Sequence, residues 1–220
     1  MSKAPNSIQN IVELLRNNHA AKQKVFHLCL GIFDKMRYMT QQITEAINQS
    51  IEDVAWVSAE FMDKGEFEFQ VRLSGELIVF SFHSNIITFP ENHVINANPY
   101  IKENELRSYF GVFLAYNFLN DAIKYNRLHD QGYLIARMFV NIDEKYYIEG
   151  VRQLNFLHPN VAENDLHDEM LFAFISSCFL AALQNNSVVP DFESEKVINI
   201  AQLINSRMLG NIQKVGYQLD

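Results

Sequence analysis

Apolar or small residues recur along the stretch from Val25 to Ala46 at Val25, Cys29, Ile32, Met36, Met39, Ile43 and Ala46, separated by 4, 3, 4, 3, 4 and 3 positions. Spacing that alternates 3 and 4 holds one narrow stripe on a helix and suits lengthwise packing against a second helix. The pattern predicts a long helix over residues 19–49. Its 25–46 seam either pairs with a symmetry mate in a homodimer or is covered within the monomer by Ile8 to Leu15 or by a C-terminal helix. Ahead of it, Ile8, Ile11, Val12, Leu14 and Leu15 predict a short helix that Ser7 caps and that runs to about Asn18.

Further along, the period changes from helical to alternating. In EFEFQVRL, residues 66–73, Phe67, Phe69, Val71 and Leu73 share one face and Glu66, Glu68, Gln70 and Arg72 the other, which is a half-buried strand. Ser74 and Gly75 turn the chain into Glu76 to His83, and a third strand, Ile86 to Phe89, stops at Pro90. Short turns between three adjacent strands predict an antiparallel meander. Val54 to Phe61 fits either a helix started by the SIED capping box at 50–53 or a strand. Glu105 to Leu128 has many aromatics but no clean stripe, and reads as a helix covered on more than one side.

Gly132 to Val140 and Tyr146 to Phe156, joined by a turn at Asn141 to Lys145, predict a second hairpin. Asn164 or Asp165 caps a helix carrying Met170, Leu171, Phe174, Ile175, Cys178, Phe179, Ala182 and Leu183. After Pro190 a final helix runs from about Phe192 to Leu209 and ends at Gly210. The expected fold is a single α+β domain over residues 1–220. It has an antiparallel sheet of about five strands, a three-stranded meander plus a hairpin, covered by helices.

Composition supports one substantial core: at 220 residues and 48% apolar content the chain can bury roughly 70% of its unfolded surface. The net charge of −8 is uneven, with six Lys or Arg against three Asp or Glu in residues 1–50 and twelve against twenty-three in the rest. An acidic body repels a phosphate backbone, so nucleic acid is not an expected partner. Lys22, Lys24, Lys35 and Arg37 read as the solvated face of the long helix rather than as an anion site. MSKAPNSIQN lacks the apolar run of a signal peptide, and MLFAFISSCFLAAL is too short for a membrane span and reads as a buried helix. Two isolated cysteines, Cys29 and Cys178, on apolar faces suit a reducing compartment, so the expectation is a cytoplasmic protein that does not enter a membrane.

Three constellations carry possible chemistry. His83 and His93 flank Pro90 with Glu91 between them, and an imidazole beside a carboxylate is a general base near neutral pH. Tyr133, Arg137, Tyr147, Glu149, Arg152 and Gln153 give the second hairpin a mixed aromatic and charged face that would line a small-molecule pocket if the sheet curves. Glu163 and His167, followed by Asp168, would share a helical face at i and i+4 and reach a divalent ion, although acidic residues at a helix start also serve the macrodipole. The pair His129 and Asp130 by itself is an ordinary turn sequence.

No GxSxG, HExxH, GxGxxG or GxxxxGK motif occurs, so no cofactor is expected. Two function classes follow. The first is a non-catalytic regulatory, small-ligand-binding or protein-interaction domain, and the second is a hydrolase using histidine with carboxylate, or a metal.

Overall fold

The computed structural model describes residues 4–52, 54–127, 130–151, 154 and 160–184, with the backbone of 187–188 and 213–214. The final helix expected over 192–209 lies outside the described residues, as do His129, Arg152 and Gln153. The chain opens as one unbroken helical path: α1 (Ala4–Leu14), a π-helical turn (Leu15–His19) and α2 (Ala20–Ser50). Helix therefore begins before Ser7, which lies inside α1 rather than at its N-cap.

Six strands follow: β1 (Ala59–Asp63), β2 (Glu68–Leu73), β3 (Glu76–Phe82), β4 (Phe110–Leu119), β5 (Tyr133–Asn141) and β6 (Tyr146–Gly150). They form one antiparallel sheet in the order β1-β2-β3-β4-β5-β6, so each strand pairs with its neighbours in sequence. Short helices α3 (Pro99–Lys102) and α4 (Asn120–Lys124) flank β4, and α5 (Asp168–Leu183) closes the described fold. A two-residue pairing of β7 (Ser187–Val188) with β8 (Gln213–Lys214) lies apart from the main sheet. The molecule is an α+β fold whose six-stranded sheet is covered by the long N-terminal helix.

The seam of α2 faces this sheet. Val25, Cys29, Phe33 and Met36 are fully buried in the main core with Phe69, Phe80, Phe113, Met138 and Ile148 from the strands and Phe174, Ile175 and Cys178 from α5. Phe33 stands 5.0 Å from Phe69 and 6.0 Å from Phe113, centroid to centroid, in the offset arrangements aromatic pairs prefer. A dimer through this helix would have to use its opposite face, because the seam is spent inside the monomer. Toward the C-terminus the buried line passes to Thr40 and Thr44, whereas Ala46 is exposed. A straight helix repeats at 3.6 rather than 3.5, so a stripe spaced by heptads drifts off the core.

Two expected elements are corrected. The segment Glu105 to Leu128 is not a helix but contains β4, a central strand buried on both faces, whose near-continuous apolar run hides the period of two. Ile86 to Phe89 is not a strand of the sheet; Ile87 makes only an isolated bridge to Phe110. The meander instead gains its first strand at Ala59, and the described part of 51–58 forms turns rather than the helix that SIED suggested.

Gly31 sits on the exposed side of α2, and a Cβ there would meet nothing within 4 Å. Gly31→Ala is therefore expected to stabilise the protein by about 0.5–1 kcal/mol, since alanine loses less backbone entropy in a helix. A higher urea midpoint with an unchanged slope would bear this out; a lower midpoint would mean that the exposed side of α2 is in use.

Candidate functional site

The face of the sheet opposite α2 is partly roofed by the chain between β3 and β4. Ile87, Phe89, Ile95, Tyr100 and Ile101 from this strap pack onto Phe110, Val112, Leu114, Phe139 and Tyr147, forming a second, smaller core. Side-chain caps shape the strap: His93 accepts from the Ile95 amide, Asn98 from that of Tyr100 and Asn104 from that of Leu106. Each satisfies a backbone donor that a short helical turn leaves open.

Buried Asn141 locks the strap to the β5–β6 turn. Its Oδ1 accepts from the amides of Asp143 and Lys145, both at 3.1 Å, while its Nδ2 donates to the Tyr100 hydroxyl at 3.1 Å and the Arg107 carbonyl at 3.3 Å. Tyr100 in turn donates to Asp143 at 2.9 Å, and Arg107 donates to the same carboxylate at 2.8 Å. Burial pushes the Tyr100 phenol up to about 12, with the Asp143 carboxylate adding to the shift and the Asn141 hydrogen bond opposing it. These residues fasten loop to sheet.

The expected sites are redistributed. His93 leaves His83 and Glu91 and joins the second hairpin instead: its ring stacks on Phe89 at 4.3 Å and its Nε2 lies 3.7 Å from Glu149 Oε1. Glu149 also pairs with Arg137 directly across the β5–β6 ladder. Tyr147 stands edge-on to both Phe89 and His93, and its phenol is raised chiefly by burial and then by Glu149. His93, Arg137, Tyr147 and Glu149 thus form one cluster, drawn from two of the three sequence constellations.

His83 is exposed, with its Nδ1 accepting from the Asn85 amide at 3.1 Å, and Glu91 is exposed as well. Tyr133 is separated by an irregularity. The β4–β5 register shifts between Ala115 and Tyr116, so that Ile135 and Ala136 both enter the main core. One extra residue reverses the alternation, which puts Tyr133 and Arg137 on opposite faces.

The helical face on which Glu163 and His167 would reach a divalent ion does not form. Residues 163–167 are not helical, since α5 starts at Asp168 after His167, so Glu163 and His167 do not share a helical face. Neither Asn164 nor Asp165 caps the helix; Asp165 bridges Lys145, whose ammonium at 2.7 Å holds its carboxyl below the usual carboxylate range. Among the described residues, no three His, Cys, Asp or Glu side chains come together as a metal site.

Three of the four cations expected on the free face of α2 have local work. Lys35 pairs with Asp168 of α5 at 2.8 Å, Arg37 donates to the Gly65 carbonyl at 2.6 Å, and Lys22 lies over the Tyr109 ring. Among the described residues, no helix is long and apolar enough to cross a membrane.

One feature escaped the sequence reading. Trp56, the single tryptophan of the chain, is 100% exposed at φ 70°, in the left-handed region that bulky residues avoid. Val54 and Val57 beside it are also exposed. The turn is pinned at both ends. The Asn48 amide donates to the Ala59 carbonyl at 2.8 Å and accepts from the Ala59 N–H at 2.9 Å, filling the outer edge of β1, and Ser74 donates to the Ser58 carbonyl at 2.9 Å. The only sequence signal was a lone tryptophan in a stretch fitting helical and strand periodicity equally.

No protein-family model, no curated protein and no solved structure matches this chain.

Proposed function

We propose that this chain is a non-catalytic protein-interaction domain that engages its partner through the Trp56 knuckle, the corner formed by Val54, Trp56 and Val57 between α2 and edge strand β1. The observation that carries this reading is the full exposure of Trp56 on a backbone conformation costing about 1–2 kcal/mol. A large indole held in water at such a cost contributes nothing to the core. Tryptophan is also among the residues that dominate binding energy when a partner covers them. The polar clusters favour the same reading over hydrolysis. The Glu149 carboxylate lies between Arg137 and His93, and Asp143 between Tyr100 and Arg107, so these acids brace the strap.

Trp56→Gly separates binding from folding. Glycine tolerates the left-handed conformation, so the variant is expected to keep wild-type stability to within about 1 kcal/mol. It should nevertheless lose a protein that the wild-type chain retains in affinity enrichment. Addition of that purified protein should shift the emission of the sole tryptophan to shorter wavelength. Identical enrichment by both chains, or a loss of stability beyond about 2 kcal/mol, overturns the proposal, the latter by making Trp56 a structural residue.

A further inference from the structure

The α1 arm points to a different surface. Ile8, Ile11, Val12, Leu14 and Leu15 are 37–62% exposed, and among the described side chains, from Ser7 onward, the first buried one is Ala21. Apolar residues at 8, 11, 12 and 15 form a stripe with the spacing of a helix that packs on another. The π-helical turn, by adding a residue to the ladder, rotates everything before it relative to the core-facing side of α2. A shallow groove lined by Ile8, Gln9, Val12, Glu13, Arg16 and Asn17 runs beside the stripe and can receive side chains of a facing helix.

We propose that this arm docks onto the same arm of a second copy, antiparallel, with Ile8 against Leu15 and Ile11 against Val12 of the other chain. The stripe is its own mirror in sequence: its positions are symmetric about the midpoint between Ile11 and Val12. That point is also the centre of the helical arm from Ala4 to His19. Antiparallel pairing about it brings Ala4 of one copy level with His19 of the other, so each arm ends just where the partner's body begins at Ala21.

Charge fits the same occupant. All of the net −8 comes from outside this arm, which holds one acid, Glu13, and one permanently charged cation, Arg16, and the pairing sets Glu13 opposite Asn10 rather than against a like charge. Five half-exposed aliphatic side chains offer roughly 500 Å² per copy, so their complete burial would remove on the order of 1,000 Å², the low end for a specific interface and in keeping with micromolar rather than tighter pairing.

The full-length chain in sedimentation equilibrium should run at twice its 25.5 kDa monomer mass in the micromolar range. Ile11→Glu should weaken association by about 100-fold while leaving the circular dichroism unchanged, and leaving the unfolding midpoint unchanged when both chains are dilute enough to be monomeric, because the residue is outside the core. Cysteine placement fixes the orientation, and Cys29 and Cys178 are buried and should stay silent. Ile11→Cys, next to the two-fold axis, should form a disulfide-linked dimer. Ile8→Cys should not, since its symmetry mate is about 10 Å away along the axis, but it should cross-link in a mixture with Leu15→Cys. Efficient cross-linking of Ile8→Cys to itself would mean parallel pairing and overturn the proposal. So would a monomer at 100 µM, whether or not the arm then binds phosphatidylglycerol vesicles or another protein.

Discussion

Gly111→Ala is expected to destabilise the protein by about 1–3 kcal/mol, and Cys29→Ala in the same chain to restore most of that loss. Gly111 lies on β4 directly beneath α2, where an added Cβ would stand 2.4 Å from Cys29 Sγ, 3.1 Å from Cys29 Cβ and 3.4 Å from the Phe82 ring. A thiol on a buried helix has few rotamers, and here Val25, Phe33 and Met36 flank it with no exposed surface, so the helix itself must lift. Cys29→Ala alone leaves a small void and lowers stability modestly. In combination, the void accepts the methyl group. Urea unfolding of the four proteins should therefore give a coupling of opposite sign to the single losses; simple additivity would mean that α2 does not lie this close to β4.

The second large effect is a loss of stability at high pH. Burial raises Cys29 from 9.0 to about 12 and raises Cys178 as well; it also lifts Tyr100 and Tyr146 from 10.0 to about 12. These acids are neutral when protonated, so above pH 9 the unfolded chain releases thiol protons that the folded chain keeps. Protons bound by the native state then exceed those bound by the unfolded state, and stability falls as pH rises, by about 1.4 kcal/mol per pH unit for each thiol. Between pH 9 and 11 the two thiols alone remove on the order of 5 kcal/mol, a large part of a typical domain's stability. The tyrosines start from 10.0 rather than 9.0, so they add less over the same interval.

Unfolding midpoints at pH 7, 9, 10 and 11 should fall steeply above 9, and the slope should flatten in a Cys29→Ala, Cys178→Ala chain. An unchanged slope in that chain would place the titrating protons elsewhere.

What the sequence disclosed followed from how each element meets solvent. β2 alternates because Glu68 and Arg72 stand on a face without a helix, and β3, β5 and β6 are set off by tight turns. β4 gave no such contrast, with Phe113 and Ala115 under the helices and Phe110, Val112 and Leu114 under the strap. The long helix was plain from its seam, but the last two turns of its buried line are threonines, which a search for apolar periodicity passes over.

The cluster around Glu149 was half legible. Arg137 and Glu149 face each other through a hairpin that the turn at Asn141 announces, while His93 arrives from far away along a strap whose path only the packing of Phe89 decides. Trp56 was out of reach because its meaning lies in exposure, which no local pattern encodes.

The strictly sequential order of the sheet has a consequence for how the chain acquires its structure. The pairs β1–β2, β2–β3 and β5–β6 close short loops and can form hairpin by hairpin as the chain leaves the ribosome, whereas β4 joins β3 only across the strap between Phe82 and Phe110. Strand β6 is complete at Gly150, before α5 exists, and until then the aromatic surface that Phe80 shares with Phe179 has no cover from that side. α2 is by contrast made first and waits for its sheet. The Lys35–Asp168 pair, joining residues 133 positions apart, closes only when both helices have settled on the same face, so it reports the docking of α5 beside α2.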